Sequence, residues 1–299
     1  MTGMKAVSLR ARAKVNLFLE VTGKRPDGYH DLLTLFAGIS LSDGLTLRSS
    51  AKPGIGLTVV NESNFTPLPR EKNLAWRAAD AFCRTFGVDP ALEIRLVKRI
   101  PSGAGLGGGS SDAAAVLEGL SRLYRRRSPA DRRKLMRLAA DLGSDVPFFF
   151  SGSVFCEGRG RGEKLRPLAL RPGRTFLTVY FPGFPVPTPG VYAALRRPSP
   201  SVVAGSRRAY RRLLAALRSG SGPSAWAPLL MNRLEDPVLP ARPAIAAARA
   251  RLAEAGAAGV LLSGSGSSVF AVAASRREAS RLARALKPCK GMVFLAEFA

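Results

Sequence analysis

Apolar and polar residues alternate through the first part of the chain. The stretch "KAVSLRARAKVNLFLEVTG" (5–23) has the period-two pattern of a strand and breaks at the turn "RPDGYH". "DGLTLRSS" and "GIGLTVVN" predict two further short strands bounded by Gly and Pro. In "EKNLAWRAADAFCRTFG" (71–87) apolar residues recur at helical spacing and a glycine closes the run, a helix with its C-cap. "LEIRLVKRI" (92–100) is a strand that runs into "PSGAGLGGGSSDAAA" (101–115). A helix is expected from Ser111 to about Tyr124, and another from about Pro129 to Leu142.

The pattern restarts near "LALRPGR" (168–174). "TFLTVYFPG" reads as a strand and "PVPTPGVYAALRR" as a helix begun after two prolines. "RPSPSVVAGS" and "RSGSGPSAWAP" have the composition of loops. "PAIAAARARLAEAG" is a helix ending in Gly. "AAGVLLSGSGSSVFAVAA" (257–274) is two apolar strands around a second Gly/Ser loop, "SRREASRLARALK" a helix and "GMVFLAEF" a last strand. The chain therefore reads as α+β, with a boundary near 160–168.

Composition narrows the chemistry. With 299 residues, 46% of them hydrophobic, the chain can bury proper cores. No apolar run reaches the roughly 18 residues of a membrane span, and no secretory signal is read. The three cysteines are scattered and odd in number, which fits a reducing cytosol better than a disulfide framework. His30 is the one histidine, so a multi-histidine metal site is excluded. The net charge is +25. Its densest clusters, "RLYRRRSPADRRKLMR" and "SRRAYRRLLAALR", carry Leu, Tyr or Met at helical spacing between the arginines. They read first as solvated faces of amphipathic helices, and second as a nucleic-acid surface. An acidic small substrate also suits a positive field.

The glycine stretch is the strongest local signal. A helix N-terminus offers unpaired N–H groups and about half a positive charge. Glycines let an anion reach that backbone and also permit positive φ. Ser110 and Ser111 add hydroxyls within reach of a magnesium ion, and Asp112 can join the first-turn capping pattern. A Walker A loop would need Lys where Ser110 stands. A Rossmann turn would need an acidic strand end about 20 residues on, where the chain has "RRRSPADRRK". A protein kinase would need an HRD loop, and His30 is followed directly by Asp31.

What remains, strand then P-x-G-x-G-L-G-G-G-S-S-D then helix, resembles the phosphate loop of the GHMP kinases, the superfamily of galactokinase, homoserine kinase and mevalonate kinase. "AKVNLFLEVTGKRPDGYHDLLTLF" (13–36), "LGSDVPFFFSG" (142–152), "FPVPTPGVY" (184–192) and "LLSGSGSSVFA" (261–271) resemble the branch whose members phosphorylate a cytidine-diphosphate-linked polyol. The resemblance covers nearly the whole chain, apart from the arginine-rich helices and 198–224. It implies a two-domain fold, 1–162 of the ribosomal-protein-S5-domain-2 type and 163–299 a ferredoxin-like sandwich.

The resemblance also implies roles. ATP and Mg²⁺ are the expected cofactors. Pro101, Ser102, Gly103, Ala104, Gly105, Leu106, Gly107, Gly108, Gly109, Ser110 and Ser111 form the ATP loop, with Asn73 and Leu74 bordering the adenine. Asp145 is the general base with Lys14 beside it. Asn16, two residues on along the same strand face, contacts substrate. Tyr29 and His30 take the cytosine, and Tyr192 stands where the family has a second stacking aromatic, often Phe. Thr188 and the loop Gly264, Ser265, Gly266 complete the substrate side. Read without the resemblance, Asp145 is a helix N-cap and Lys14 a strand lysine. Two other readings stay open: a GHMP kinase for a smaller alcohol such as homoserine, and a basic RNA-binding protein. The expected partner is the small cytidylated substrate, in the cytoplasm, with no membrane partner, in a monomer or homodimer.

Overall fold

A computed structural model of the chain describes residues 6–61 and 68–299. Its first elements are strands β1 (Ala6–Lys24), β2 (His30–Ser49) and β3 (Gly54–Asn61), helix α1 (Leu74–Phe86) and strand β4 (Ala91–Lys98). Helices α2 (Gly108–Leu123), α3 (Pro129–Leu142) and α4 (Val146–Ser151) follow, then strands β5 (Phe155–Gly160), β6 (Lys164–Pro167) and β7 (Phe176–Phe181). Helices α5 (Thr188–Ala194), α6 (Pro200–Arg218) and α7 (Pro223–Trp226) lead to β8 (Met231–Asn232). The chain ends with α8 (Glu235–Ala241), α9 (Pro243–Glu254), β9 (Gly259–Leu262), β10 (Val269–Ala273), α10 (Arg276–Ala285) and β11 (Met292–Glu297).

Two compact units result. One is Met1–Ala13, Ser42–Ser102 and Gly107–Gly152; the other is Lys14–Leu41, Gly103–Leu106 and Ser153–Ala299. In the first unit β3 runs parallel to β4, and β4 is antiparallel to residues 44–49 of β2. Leu45, Leu47, Ile94 and Leu96 from these strands meet Phe82, Val116, Leu117 and Leu120 from α1 and α2 in one buried cluster. In the second unit the sheet order is β11-β7-β10-β9, all antiparallel. Every residue of β7 and β10 is buried, which explains their unbroken apolar sequence. Ile245 and Leu252 of α9 and Leu282 of α10 pack with Phe176, Val269 and Ala271.

Local sequence explains most boundaries. Gly87 closes α1 in the left-handed region at φ 60°. Ser128 and Asp131 cap α3 reciprocally, with Pro129 in the first turn. Three expectations are corrected. "DGLTLRSS" is no separate strand but the end of the 20-residue β2. "RPSPSVVAGS" is mostly helix: Ser199 accepts a hydrogen bond from the Val202 N–H, Pro200 opens α6, and Val203, Ser206, Tyr210 and Leu213 make its buried stripe. Ser-Pro-Ser composition is shared by loops and helix starts, and the apolar spacing behind it decides. "RSGSGPSAWAP" contains the short α7, with Trp226 fully buried. The second basic cluster lies as the first reading expects, with Arg207, Arg208, Arg211 and Arg212 exposed on α6 opposite its apolar stripe, whereas Arg125, Arg126 and Arg127 of the first lie in the connection between α2 and α3 and not on a helix face.

One charged cluster sits inside the first unit. Leu92, Ile94, Leu96 and Lys98 share the buried face of β4, so a lysine occupies a core position. Its ammonium donates to Asp43, and to Asp112 Oδ2 at 2.7 Å. Asp43 Oδ1 accepts the backbone N–H groups of Arg99 at 2.5 Å and Ile100 at 2.8 Å. The three ionisable groups are 4%, 0% and 3% exposed for Lys98, Asp43 and Asp112, so no water screens them. One cation then faces two buried carboxylates. Asp112 has its carboxyl pushed up to about 7, by burial first and by Asp43, against the pull of Lys98. Its second oxygen is buried without a partner among the described residues.

This predicts a pH-dependent effect of Asp112→Asn. The folded carboxyl holds its proton more tightly than the unfolded one. Native stability is therefore lost as pH rises from about 4 to about 7. An amide keeps an acceptor for Lys98 and has no proton to lose. Urea unfolding midpoints at pH 5 and pH 8 should show the variant gaining on the parent protein at pH 8. A difference independent of pH would contradict the assignment.

Candidate active site

The glycine stretch lies where the sequence expects it, between β4 and α2. Positive φ occurs at Gly103 (66°), Gly105 (75°) and Gly107 (72°), and not at Gly108 or Gly109. Helix α2 starts at Gly108, and no side chain caps it. Its first N–H groups are thus left for another partner, the arrangement an anion requires. Gly108 is glycine for a different reason: a Cβ there would stand 2.9 Å from Ile100 Cγ2 and 3.3 Å from Lys98 Nζ. Ser110 is half-buried and Ser111 buried in the first turn. Leu74 approaches the loop, its Cδ1 3.5 Å from where a Gly109 Cβ would be. Asn73 caps α1 by accepting the Ala75 N–H at 2.9 Å. Asp145 holds the N-cap position of α4 but makes no capping bond with its carboxylate. The plain capping reading of that residue therefore loses its main support.

In the second unit, Lys14 and Asn16 are buried neighbours on β1. Lys14 Nζ donates to Asn16 Oδ1 at 2.8 Å, and Asn16 Nδ2 donates to Thr34 Oγ1 at 2.8 Å. Thr34 donates in turn to the Phe18 carbonyl at 2.7 Å. The ammonium also lies 5.6 Å from the Phe36 ring centroid. This chain of bonds fixes the direction of Lys14.

The two Gly/Ser loops meet within this unit. Ser263 Oγ donates to the Gly105 carbonyl at 2.9 Å, and the Ser268 N–H donates to the Ala104 carbonyl at 3.0 Å. A Cβ on Gly105 would fall 2.1 Å from the Ser263 carbonyl oxygen and could not be accommodated. The second loop is thus more than a turn. Gly264 (φ 56°) stands with its Cβ direction 3.2 Å from Lys14 Nζ. Ser265 shares a 2.7 Å hydrogen bond with Thr188 at the start of α5.

The aromatic residues gather here too. His30 and Tyr192 stack with centroids 5.1 Å apart and planes 25° from parallel. Tyr29 is 53% exposed. Burial lowers the His30 pKa, and the charge of Lys24 lowers it further, so the ring is neutral at pH 7. A neutral imidazole offers one donor and one acceptor, the pairing a base edge needs.

Sequence reasoning missed Thr34, Asn232 and Lys98. Asn232 Nδ2 donates to the carbonyls of Leu262 and Gly264 at 2.8 and 2.7 Å and so shapes the second loop. Thr34 and Lys98 had a readable signal, a polar residue at an apolar register position of a strand. Asn232 had none, because its two partners lie some thirty residues on.

The chain is similar to known kinases over most of its length. Residues 73–153 match the model of the GHMP kinases N terminal domain, and 213–291 that of the GHMP kinases C terminal. A 4-diphosphocytidyl-2-C-methyl-D-erythritol kinase of Thermus thermophilus is 44% identical over 277 residues, 93% of this chain and 91% of that protein. The crystal structure of a 4-(cytidine 5'-diphospho)-2C-methyl-D-erythritol kinase superposes with a TM-score of 0.77 at 40% identity, covering 98% of this chain and 99% of the other. A homoserine kinase from Cytophaga hutchinsonii also reaches a TM-score of 0.77, covering 100% and 96% of the two chains, but at 20% identity it shows the fold alone. Identity of 40–44% sustained over more than nine-tenths of the chain makes it a member of the 4-diphosphocytidyl-2-C-methyl-D-erythritol kinase family within the GHMP kinases.

Proposed function

We propose that this chain transfers the terminal phosphoryl group of ATP to the 2-hydroxyl of 4-diphosphocytidyl-2-C-methyl-D-erythritol, a step of the non-mevalonate route to isoprenoid precursors. The observation that carries the reading is the 44% identity over 93% of the chain to a kinase of that name. The physical support is the uncapped, glycine-headed N-terminus of α2. The two matched segments fall on either side of residue 162, in keeping with domains 1–162 and 163–299. No helix among the described residues is long and apolar enough to cross a membrane. A nucleotide-linked substrate fits a cytoplasmic enzyme.

Phosphoryl transfer needs positioning and charge neutralisation. The backbone N–H groups at Gly108 and Gly109 are the natural seat of the ATP phosphates, with Leu74 toward the adenine. Magnesium, when bound with ATP, would neutralise charge on the phosphate oxygens. The donors that suit it are hard oxygens, and of the two loop hydroxyls the half-buried Ser110 is better exposed than Ser111. Asp145 takes the proton of the substrate hydroxyl. Lys14, held in direction by Asn16 and Thr34, stabilises charge on an attacking oxygen. Asn16 uses both ends of its amide in that chain, so it acts as a positioning residue as well as a substrate contact.

The cytosine needs an aromatic face. Ring contacts of about 3.5 Å on both sides would require rings about 7 Å apart, and His30 and Tyr192 are 5.1 Å apart. The base therefore takes an open face, of Tyr192 or of Tyr29, with His30 available to its edge. A smaller alcohol such as homoserine would have no use for these rings.

The test is ADP release with the cytidylated alcohol, with homoserine and with no acceptor, beside an RNA mobility-shift assay at moderate salt. Release that depends on the cytidylated alcohol supports the reading. Release with homoserine instead, or tight RNA binding without kinase activity, would replace it. Asp145→Asn should lower kcat by roughly 10²- to 10⁴-fold, since an amide cannot accept the proton. ATP affinity should barely change, and activity within threefold of the parent protein would remove Asp145 from the mechanism.

Tyr192→Ala should weaken the cytidylated substrate about 5- to 150-fold, the range expected for one base–aromatic stack of about 1–3 kcal/mol. Tyr192→Phe should be mild. Paired titrations with ATP and with the cytidylated substrate decide the matter, because equal losses for both would indicate a folding defect instead.

A further inference from the structure

The tip of the β5–β6 hairpin reads Gly160-Arg161-Gly162-Glu163. Gly160 and Gly162 take φ values of 65° and 111°, which suit glycine and fix the course of the backbone on both sides of Arg161. The Arg161 N–H donates to Glu163 Oε2 at 2.6 Å. Strand β5 runs antiparallel to β2 with Gly160 opposite Leu32. Gly160 ends β5, and Tyr29 directly precedes β2. There the Arg161 guanidinium lies over the Tyr29 ring, 4.8 Å from its centroid.

Arg25, Asp27 and Asp31 of this turn pair among themselves. Arg25 donates to Asp27 at 3.0–3.2 Å and to Asp31 at 3.3 Å. Asp27 also accepts the Tyr29 N–H at 3.1 Å. The Asp27 carboxyl is held below the usual carboxylate range, by the Arg25 hydrogen bond first, with the charge of Arg161 a smaller contribution. Arg161 itself makes no ion pair among the described residues. A guanidinium resting on an exposed ring is held weakly. A forked bond to phosphate oxygens is charge-assisted and stronger. An anion brought to this turn can lift the guanidinium off the ring.

We propose that Arg161 is a specificity-determining residue that receives the diphosphate of the cytidine-linked substrate. The inference rests on the reading of that substrate given above. A base stacked at the aromatic residues 29, 30 and 192 carries its phosphates on a short ribose tether. The Arg161 guanidinium, 4.8 Å from the Tyr29 ring, lies within that tether's span. Its selectivity is for cytidine ligands that bear phosphate, over the bare nucleoside.

The experiment titrates CDP and cytidine into the parent protein, Arg161→Gln and Arg161→Lys, with ATP as a third ligand that reports an intact fold. Arg161→Gln should lose about tenfold or more in CDP affinity, the size of one hydrogen bond to a charged group. Cytidine and ATP should bind all three proteins alike. Arg161→Lys should fall between, since it keeps the charge and loses the fork. If Arg161→Gln binds CDP as the parent protein does, the proposal is wrong while the substrate reading stands. Equal losses for CDP and cytidine would make Arg161 a support for the Tyr29 ring and would also overturn it. If the parent protein binds neither ligand, the substrate reading falls and this inference with it.

Discussion

One buried ammonium anchors the passage from strand to helix that carries the proposed phosphate site. Lys98 ends the core face of β4, and its partners come from β2 and α2. Asp43 goes further and takes the next two backbone N–H groups, those of Arg99 and Ile100. The chain is therefore gripped immediately before Pro101, where a run of small residues could otherwise wander. Removing Lys98 from such a buried cluster is expensive, about 3–5 kcal/mol, because it leaves its carboxylate partners uncompensated. Lys98 and Asp43 offset the cost of each other's burial, and Asp112 is the surplus carboxylate. That makes the cluster a means of specifying one loop conformation rather than a source of net stability.

The loop also needs room, and the glycines provide it in different ways. Gly105 has no Cβ because the Ser263 carbonyl occupies the space. Gly108 has none because Ile100 and Lys98 do. Gly109 is exposed and meets only ordinary contact with Leu74, so its freedom is left for a ligand. Gly103 is likewise closed off by Pro185, so three positions of a run that looks uniform in sequence are fixed by packing while Gly109 is turned outward. Positive φ explains a further set, Gly103, Gly105 and Gly107.

Much of this was legible beforehand, for identifiable reasons. Helix α3 was read to the residue because its capping residues and its proline are local signals. Helix α6 was half missed because its start shares Ser and Pro with loops. The glycine loop was legible because few uses of three adjacent glycines before a helix exist. The direction of Lys14 was not. Residues 13 to 21 are buried on both faces of β1, so alternation there no longer separates inside from outside. The partner that fixes Asn16 is Thr34, on a different strand. Long-range pairs of this kind leave only an out-of-place polar residue as their trace.

The charge distribution follows from the same economy of acids. Of the 21 acidic residues, Glu20, Asp43, Asp112 and Glu157 are almost wholly buried. Arg233 pairs with Glu20, and Arg159, Arg166 and Tyr210 converge on Glu157. Acidic residues thus serve as interior tethers, while many of the 46 Lys and Arg side chains face solvent. Each of these buried acids is paired with a base, so the field outside the protein is set by the remaining excess of Lys and Arg. ATP and a nucleoside diphosphate are both polyanions, and such a field speeds their capture at low ionic strength. At physiological salt the field reaches only about 8 Å. In the roles proposed above, Lys14 and Arg161 are the nearby cations that supply the discrimination the general field cannot.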